Sequence, residues 1–238
     1  MIETLIKAFD LLLYQPLFNY LVLLYNYLPG HDFGLAIIVL TLTIRLILYP
    51  SSLKSIKNQR ILSEIHPKIK EIQKKHKDDK EKQVKETMEV YKQAKINPFG
   101  SLLPTIIQLP ILIALYRVFW RGFNPAELVK LYSFIPNPGV INSIFLGIVD
   151  LSKPNIILAV SAGVFQFIQI KKAIPKVKNN SKGSDFARTM QKQMTYFAPF
   201  LTGIILLGLP SALGLYWTVA SLALIIEQYF VYKKIDKS

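Results

Sequence analysis

Three histidines, His31, His66 and His76, and no cysteine are what this chain of 238 residues offers for metal ligation or nucleophilic attack. His66 and His76 fall outside the five runs delimited below, His31 and Asp32 only flank the first, whose apolar stretch begins at Phe33, and no apolar stretch holds an aspartate. Ser101, Ser161, Ser211 and Ser221 have no base near them in sequence and read as helix-packing residues. No glycine-rich phosphate loop is present. An enzyme is therefore not expected, nor a metal or other cofactor. The residues able to do chemistry are instead polar groups set inside hydrocarbon. Arg45 interrupts "TLTIRLILYP", with Thr41 one turn before it. Gln108, Gln166 and Gln169 interrupt later runs, and Glu227 interrupts the last. An arginine at the bilayer centre costs about 2.5–3.5 kcal/mol on insertion scales. Three readings account for it. Arg45 snorkels to the interface, or it pairs with Glu227, or it faces a water-filled cavity. In the cavity its guanidinium offers charge-assisted hydrogen bonds to carboxylates or backbone carbonyls. Helix rise puts Arg45 about 18 Å below Phe33. Glu227 lies sixteen positions into the last run, and the two depths are read as similar.

These groups need a membrane fold to position them. Apolar residues make up 51% of the chain and come in blocks separated by lysine-rich stretches, the pattern of a small polytopic membrane protein. The expected spans are 31–50, 97–119, 154–170, 194–209 and 211–232, close to the length that about 30 Å of hydrocarbon requires. The last two join in a tight hairpin around Pro210. Residues 1–30 carry Glu3, Lys7, Asp10 and several aromatics, and Pro16 is expected to break them. They read as an amphipathic helix lying on the membrane, with a sixth span as the alternative. No cleaved signal peptide is expected. Segment 51–96 holds thirteen Lys/Arg and segment 171–193 holds seven, whereas 120–153 is sparse. The positive-inside rule then places both basic loops and the tail, 233–238, in the cytoplasm and the N-terminus outside. In 51–96, Ile61, Ile65, Ile69 and Ile72 recur at helical spacing, as do Val84, Met88 and Tyr91. The pattern predicts a helical hairpin turning near Lys77–Asp79, its first helix broken at Pro67 and its two stripes packed together. The second basic loop is expected to be mobile.

The ordered set "TLTIRLILYP", "KINPFGSLLPTIIQLPILIALYRVF", "FLGIVDLSKPNIILAVSAGVFQFIQ" and "MTYFAPF…LPSALGLYWTVASLALIIEQ" resembles the YidC family of membrane-protein insertases over about residues 12–232. The similarity is to the five-span core, without the large extracytoplasmic domain of many relatives. It implies an all-α polytopic protein of the bacterial plasma (inner) membrane. Five transmembrane helices would surround a polar groove open to the cytoplasm, with an N-terminal interfacial helix and a cytoplasmic helical hairpin. It also implies that Arg45 and Thr41 line the groove, that Trp217, with Tyr216 beside it, touches substrate, and that Gln166 or Gln169 joins them. Glu227 stands where an uncharged polar residue is expected. The implied partners are nascent membrane proteins and lipid, with the Sec translocon and translating ribosome as further candidates and a monomer as the functional unit. A small channel or transporter built on an intramembrane arginine is the competing reading. A scaffold for membrane complexes is a third.

Overall fold

The computed structural model describes residues 2–97, 103–122, 124–173 and 193–235. The chain is almost entirely helical. An N-terminal helical segment comprises α1 (Ile2–Phe9), a π-helical turn (Asp10–Tyr14) and α2 (Gln15–Tyr27). Pro16 does not break it, contrary to the sequence expectation. The proline sits in the first turn of α2, directly after the π turn, where a missing N–H costs least. By length and composition, Glu3–Tyr27 is apolar enough to cross a membrane.

Helix α3 (Phe33–Lys75) runs for 43 residues, about 65 Å. Asp32 caps it, its carboxylate accepting from the Leu35 N–H at 3.0 Å. The other carboxylate oxygen accepts from the Leu146 N–H at 2.7 Å, which ties the cap to the distant loop. Both Pro50 and Pro67 lie inside α3, so Pro67 does not end the helix as expected. Ile65 lies before it and Ile69 and Ile72 after it, and all three pack against α4 (Lys80–Gln93), so tertiary contact holds the register across the lost ladder bond.

The hairpin forms with Tyr91 of the expected α4 stripe packed against its core, but Val84 and Met88 of that stripe face outward. Val90 is buried beside Ile69 and Ile72, whereas Val84 and Met88 are 62% and 45% exposed. Polar contacts set this rotation: Gln83 donates to the Gln73 carbonyl at 3.2 Å, and Glu86 lies 3.0 Å from His76 Nε2. Gln83, Glu86 and Val90 share one side of α4, and that side faces α3.

Helix α5 (Leu103–Arg121) is 19 residues long and carries Pro110. The loop after it holds a 3₁₀ turn (Pro125–Lys130) and a minimal antiparallel pair, β1 (Ile144–Phe145) with β2 (Val149–Asp150). Helix α6 (Ile156–Ala173) is capped by Asn155, whose side-chain oxygen accepts from the Ile157 N–H at 2.9 Å. A second π turn (Gln193–Phe197) leads into the short α7 (Ala198–Leu206) and then α8 (Ser211–Ile235). The loop also caps α8: Ser211 N–H donates to the Lys153 carbonyl at 3.0 Å and Ala212 N–H to that of Leu151 at 3.1 Å. Two orphan donors of the first turn are thereby satisfied.

Small residues let α6 approach its neighbours. A Cβ on Gly163 would come within 3.0 Å of the Pro199 carbonyl oxygen, and one on Gly214 within 3.2 Å of Leu158. The main core joins the N-terminal helix, α3, α5 and α8 through Tyr14, Phe18, Ile37, Leu40, Leu115, Phe119 and Tyr216.

Four helices among the described residues are long and apolar enough to span: Glu3–Tyr27, Phe33–Leu62, Ile156–Ala173 and Ser211–Lys234. Thr195–Leu206, in the fourth expected span, is a shorter apolar helix. The second basic loop, expected to be mobile, lies outside the described residues over 174–192, as do 98–102 at the start of the second expected span and 236–238 of the tail.

Candidate functional site

Helices α3 and α8 pack side by side in the same direction, their N-termini held by one loop, and this brings the charged pair to similar depth. Arg45 Nε lies 3.6 Å from Glu227 Oε1, with side chains only 8% and 12% exposed. Glu227 Oε2 accepts a hydrogen bond from Ser52. Ser52 lies seven residues after Arg45, two turns along the same stripe of α3. The carboxylate is thus shared, one oxygen towards the guanidinium and one on the hydroxyl. The pairing is loose for an arginine, which can present a two-pronged fork to a carboxylate. Arg45 Nε and Nη2 are buried and, among the described residues, make no hydrogen bond. Buried donors without partners are rare and mark places for water or a ligand.

Tyr216 is buried near Arg45, and its hydroxyl accepts a hydrogen bond from Gln108 of α5. Arg45, Glu227 and Ser52 form one linked group between α3 and α8, and Tyr216 with Gln108 forms a second polar pair in electrostatic reach of Arg45. Thr41 is fully buried one turn above Arg45, and its hydroxyl donates to the Ile37 carbonyl of its own helix at 2.6 Å.

The other candidates lie apart. Trp217 follows Tyr216 by one residue, about 100° around the helix, and faces a different space. It lines an apolar cleft of about 290 Å³ with Leu112, Tyr116, Thr202, Leu209 and Leu213, between α5, α7 and α8. Gln166 and Gln169 are half-buried on α6, and among the described residues neither hydrogen-bonds to the Arg45 cluster. The side-chain oxygen of Gln166 is itself buried without a partner.

Sequence reasoning missed Ser52. It also missed that polar character continues along α3 through the buried Ser55 to Gln59, whose amide donates to Ser55 Oγ at 3.4 Å. The signal was available: residues 45, 52, 55 and 59 fall on one helical stripe.

A second polar cluster sits at the opposite end of the bundle. Asp10 pairs with Arg117, and Arg117 also lies over the Phe9 and Tyr14 rings. Tyr14 donates to Glu127 at 2.6 Å, and Lys130 Nζ lies 2.7 Å from the same carboxylate. Partial burial alone would raise the Glu127 carboxyl. Hydrogen bonds from Lys130 and Tyr14, with the Lys130 and Arg121 charges, outweigh it and hold the carboxyl below its ordinary value. Asp150 is held well below the usual carboxylate range, first by the hydroxyls of Ser152 and Ser143.

The arrangement can hold a buried cation beside a carboxylate and leave hydrogen-bond capacity unspent. Among the described residues no nucleophile–base pair accompanies it. Comparison with known proteins supplies the class. Residues 23–238 match the family described as 60Kd inner membrane protein. The chain belongs to the YidC family of membrane-protein insertases. Relatives named "Membrane protein insertase YidC" include one from Clostridium tetani, 36% identical over 209 residues, which cover 88% of this chain and 85% of the relative. Another, from Fusobacterium nucleatum, is 33% identical over 203 residues, 85% of this chain and 87% of the relative. A longer one from Wigglesworthia glossinidia brevipalpis is 34% identical over 225 residues, 94% of this chain but 37% of the relative. YidC membership and the membrane-length helices make this a multi-pass inner-membrane protein.

Proposed function

We propose that this chain is a membrane-protein insertase that moves short polar segments of nascent membrane proteins past Arg45 and releases their apolar spans to lipid. The observation that carries this reading is the buried Arg45 guanidinium, ion-paired with Glu227 but with Nε and Nη2 making no hydrogen bond among the described residues. A wet cavity there shortens the hydrocarbon path that a polar segment must cross. Arg45 supplies charge-assisted hydrogen bonds to carboxylates or carbonyls in transit. Thr41, Gln108, Tyr216 and one of Gln166 and Gln169 complete the polar lining. Trp217 and its cleft meet the apolar part of the substrate. No nucleotide is consumed. The net drive is burial of the substrate's span, about 0.3–0.6 kcal/mol per central Leu, Ile, Phe or Val.

In this reading the 51–96 hairpin and the tail face the cytoplasm, in keeping with their lysine content, and the 120–153 loop faces outside. The N-terminal helix lies along the outer surface. The chain acts as a monomer, receiving substrate from translating ribosomes or the Sec translocon. Reconstitution into liposomes tests the function. Purified protein should insert a small reporter carrying an acidic outer segment, and Arg45→Ala should reduce that insertion while Arg45→Lys keeps part of it. Solute flux without insertion would favour a channel instead.

A further inference from the structure

We infer that Glu227 is a built-in competitor for Arg45 that sets which charge of polar segment the site accepts. The inference rests on the insertase reading above. The geometry supports it in three ways. First, Glu227 occupies the position a substrate carboxylate would take, 3.6 Å from Arg45 Nε. Second, it does so incompletely. Its second oxygen is engaged by Ser52, and among the described residues Arg45 Nε and Nη2 make no hydrogen bond. A visiting carboxylate can therefore add to the guanidinium or displace Glu227 onto Ser52. Third, both charges are buried, so solvent screens little of the interaction between Glu227 and whatever enters.

A lone buried arginine would select acidic segments and repel basic ones. The pair instead has no net charge, and its dipole offers a partner to either sign: Arg45 for a carboxylate, Glu227 for a lysine or arginine in transit. The sequence composition does not require this pairing. A neutral glutamine at 227 could hydrogen-bond to both Arg45 and Ser52. The carboxylate therefore adds a charge that packing does not need, at the cost of attraction for acidic substrates.

The test uses the full-length protein in liposomes and three reporters that differ only in the outer segment: two aspartates, two lysines or two asparagines. Wild type should insert the acidic and basic reporters with similar efficiency relative to the asparagine reporter. Glu227→Gln should shift the acidic-to-basic ratio towards acidic by about fivefold or more, the scale of a modest coupling between two charges. Glu227→Asp, which keeps the charge, should stay near the wild-type ratio. Because Glu227→Gln leaves Arg45 unpaired, protease resistance of each variant is measured first. If that variant is unfolded, Arg45→Gln/Glu227→Gln takes its place, and its ratio should not depend on charge beyond that of protein-free liposomes. A folded Glu227→Gln with an unchanged ratio overturns this inference alone, as does a double variant that keeps the wild-type ratio. Failure of wild type to insert any reporter overturns the insertase reading and this inference with it.

Discussion

Ser52 shows how a modest hydroxyl can fix a buried charge. It holds one oxygen of Glu227 while the other faces Arg45. A hydrogen bond to a charged group contributes about 1.5–3 kcal/mol. Ser52→Ala should therefore lower thermal stability by an amount in that range, and Ser52→Thr should restore most of it, as read by a detergent thermal-shift assay. Thr41→Val is expected to behave differently. Its hydroxyl is spent on the carbonyl of its own helix, so losing it should cost at most about 1 kcal/mol of stability. Any larger fall in reporter insertion would then mark a substrate contact. The Arg45–Glu227 pair was legible as one of three readings, because helix rise alone sets the two depths. The place of Ser52 on the Arg45 stripe could be read from spacing, but its bond to Glu227 could not, since that depends on which way α8 turns. Nor could spacing say that Tyr216, rather than Trp217, would lie in electrostatic reach of Arg45. That depends on which side of α8 meets α3, and the two residues differ by about 100°.

The hairpin of α3 and α4 carries an unusual division of labour. Its small core is Ile69, Ile72 and Val90, while Val84 and Met88 face outward. Ile69→Asp or Ile72→Asp should destabilise the hairpin by about 2–4 kcal/mol, since each buries a charge where a methyl cluster was. Val84→Asp and Met88→Asp should stay within about 0.5 kcal/mol. Amide exchange over 62–93 separates the two outcomes, and equal protection loss in both pairs would count against this packing. Periodicity alone gave the helices, the turn and Tyr91 on the packed side, but misassigned Val84 and Met88 of α4. An i, i+4 pattern of apolar residues counted for more than the polar contacts of Gln83 and Glu86 that set the rotation. Pro16 and Pro67 misled for a related reason: a proline's local cost was read without the π turn or the flanking isoleucines that absorb it. The loop element behaves more simply. Asp150 accepts from Ser143 Oγ at 2.7 Å and Ser152 Oγ at 2.6 Å, and Lys153 lies 3.0 Å away. Its folded-state pKa is depressed, so its stabilising contribution is full above the unfolded carboxylate value of about 3.9 and is lost as pH falls through the folded value. Asp150→Asn should thus be less stable than wild type at pH 7, and the gap should narrow below about pH 4. A gap that widens on acidification would show that the carboxylate is not what holds the loop.

The placement of the N-terminal helix decides how many times the chain crosses the membrane. Composition left it open, and Glu3–Tyr27 is long and apolar enough to cross. Its partners argue otherwise. Asp10 pairs with Arg117, four residues from the end of α5. Tyr14 binds Glu127, Asn19 binds the Lys130 carbonyl and the Tyr132 N–H, and Asn26 binds the Pro136 carbonyl. All these groups belong to the loop end of the bundle, where the same loop also caps α3 and α8. If the helix stood upright, Asp10 would lie about 25 Å below Tyr27. Arg117 is only about 6 Å below the end of α5, so an upright helix would leave Asp10 far from it. We propose from these contacts that the helix lies across the loop end of the bundle, tilted so that Tyr20 meets Thr43 at 3.1 Å, about 15 Å along α3. The chain has no cysteine, so single cysteines can be introduced without a background. Glu3→Cys and Tyr27→Cys, at two exposed positions near the two ends of this helix, should both react with a membrane-impermeant thiol reagent added to intact cells. Lys80→Cys in the hairpin should react only after the membrane is opened. Glu3→Cys protected until lysis, with Tyr27→Cys reactive before it, would make the segment a span and reverse this placement.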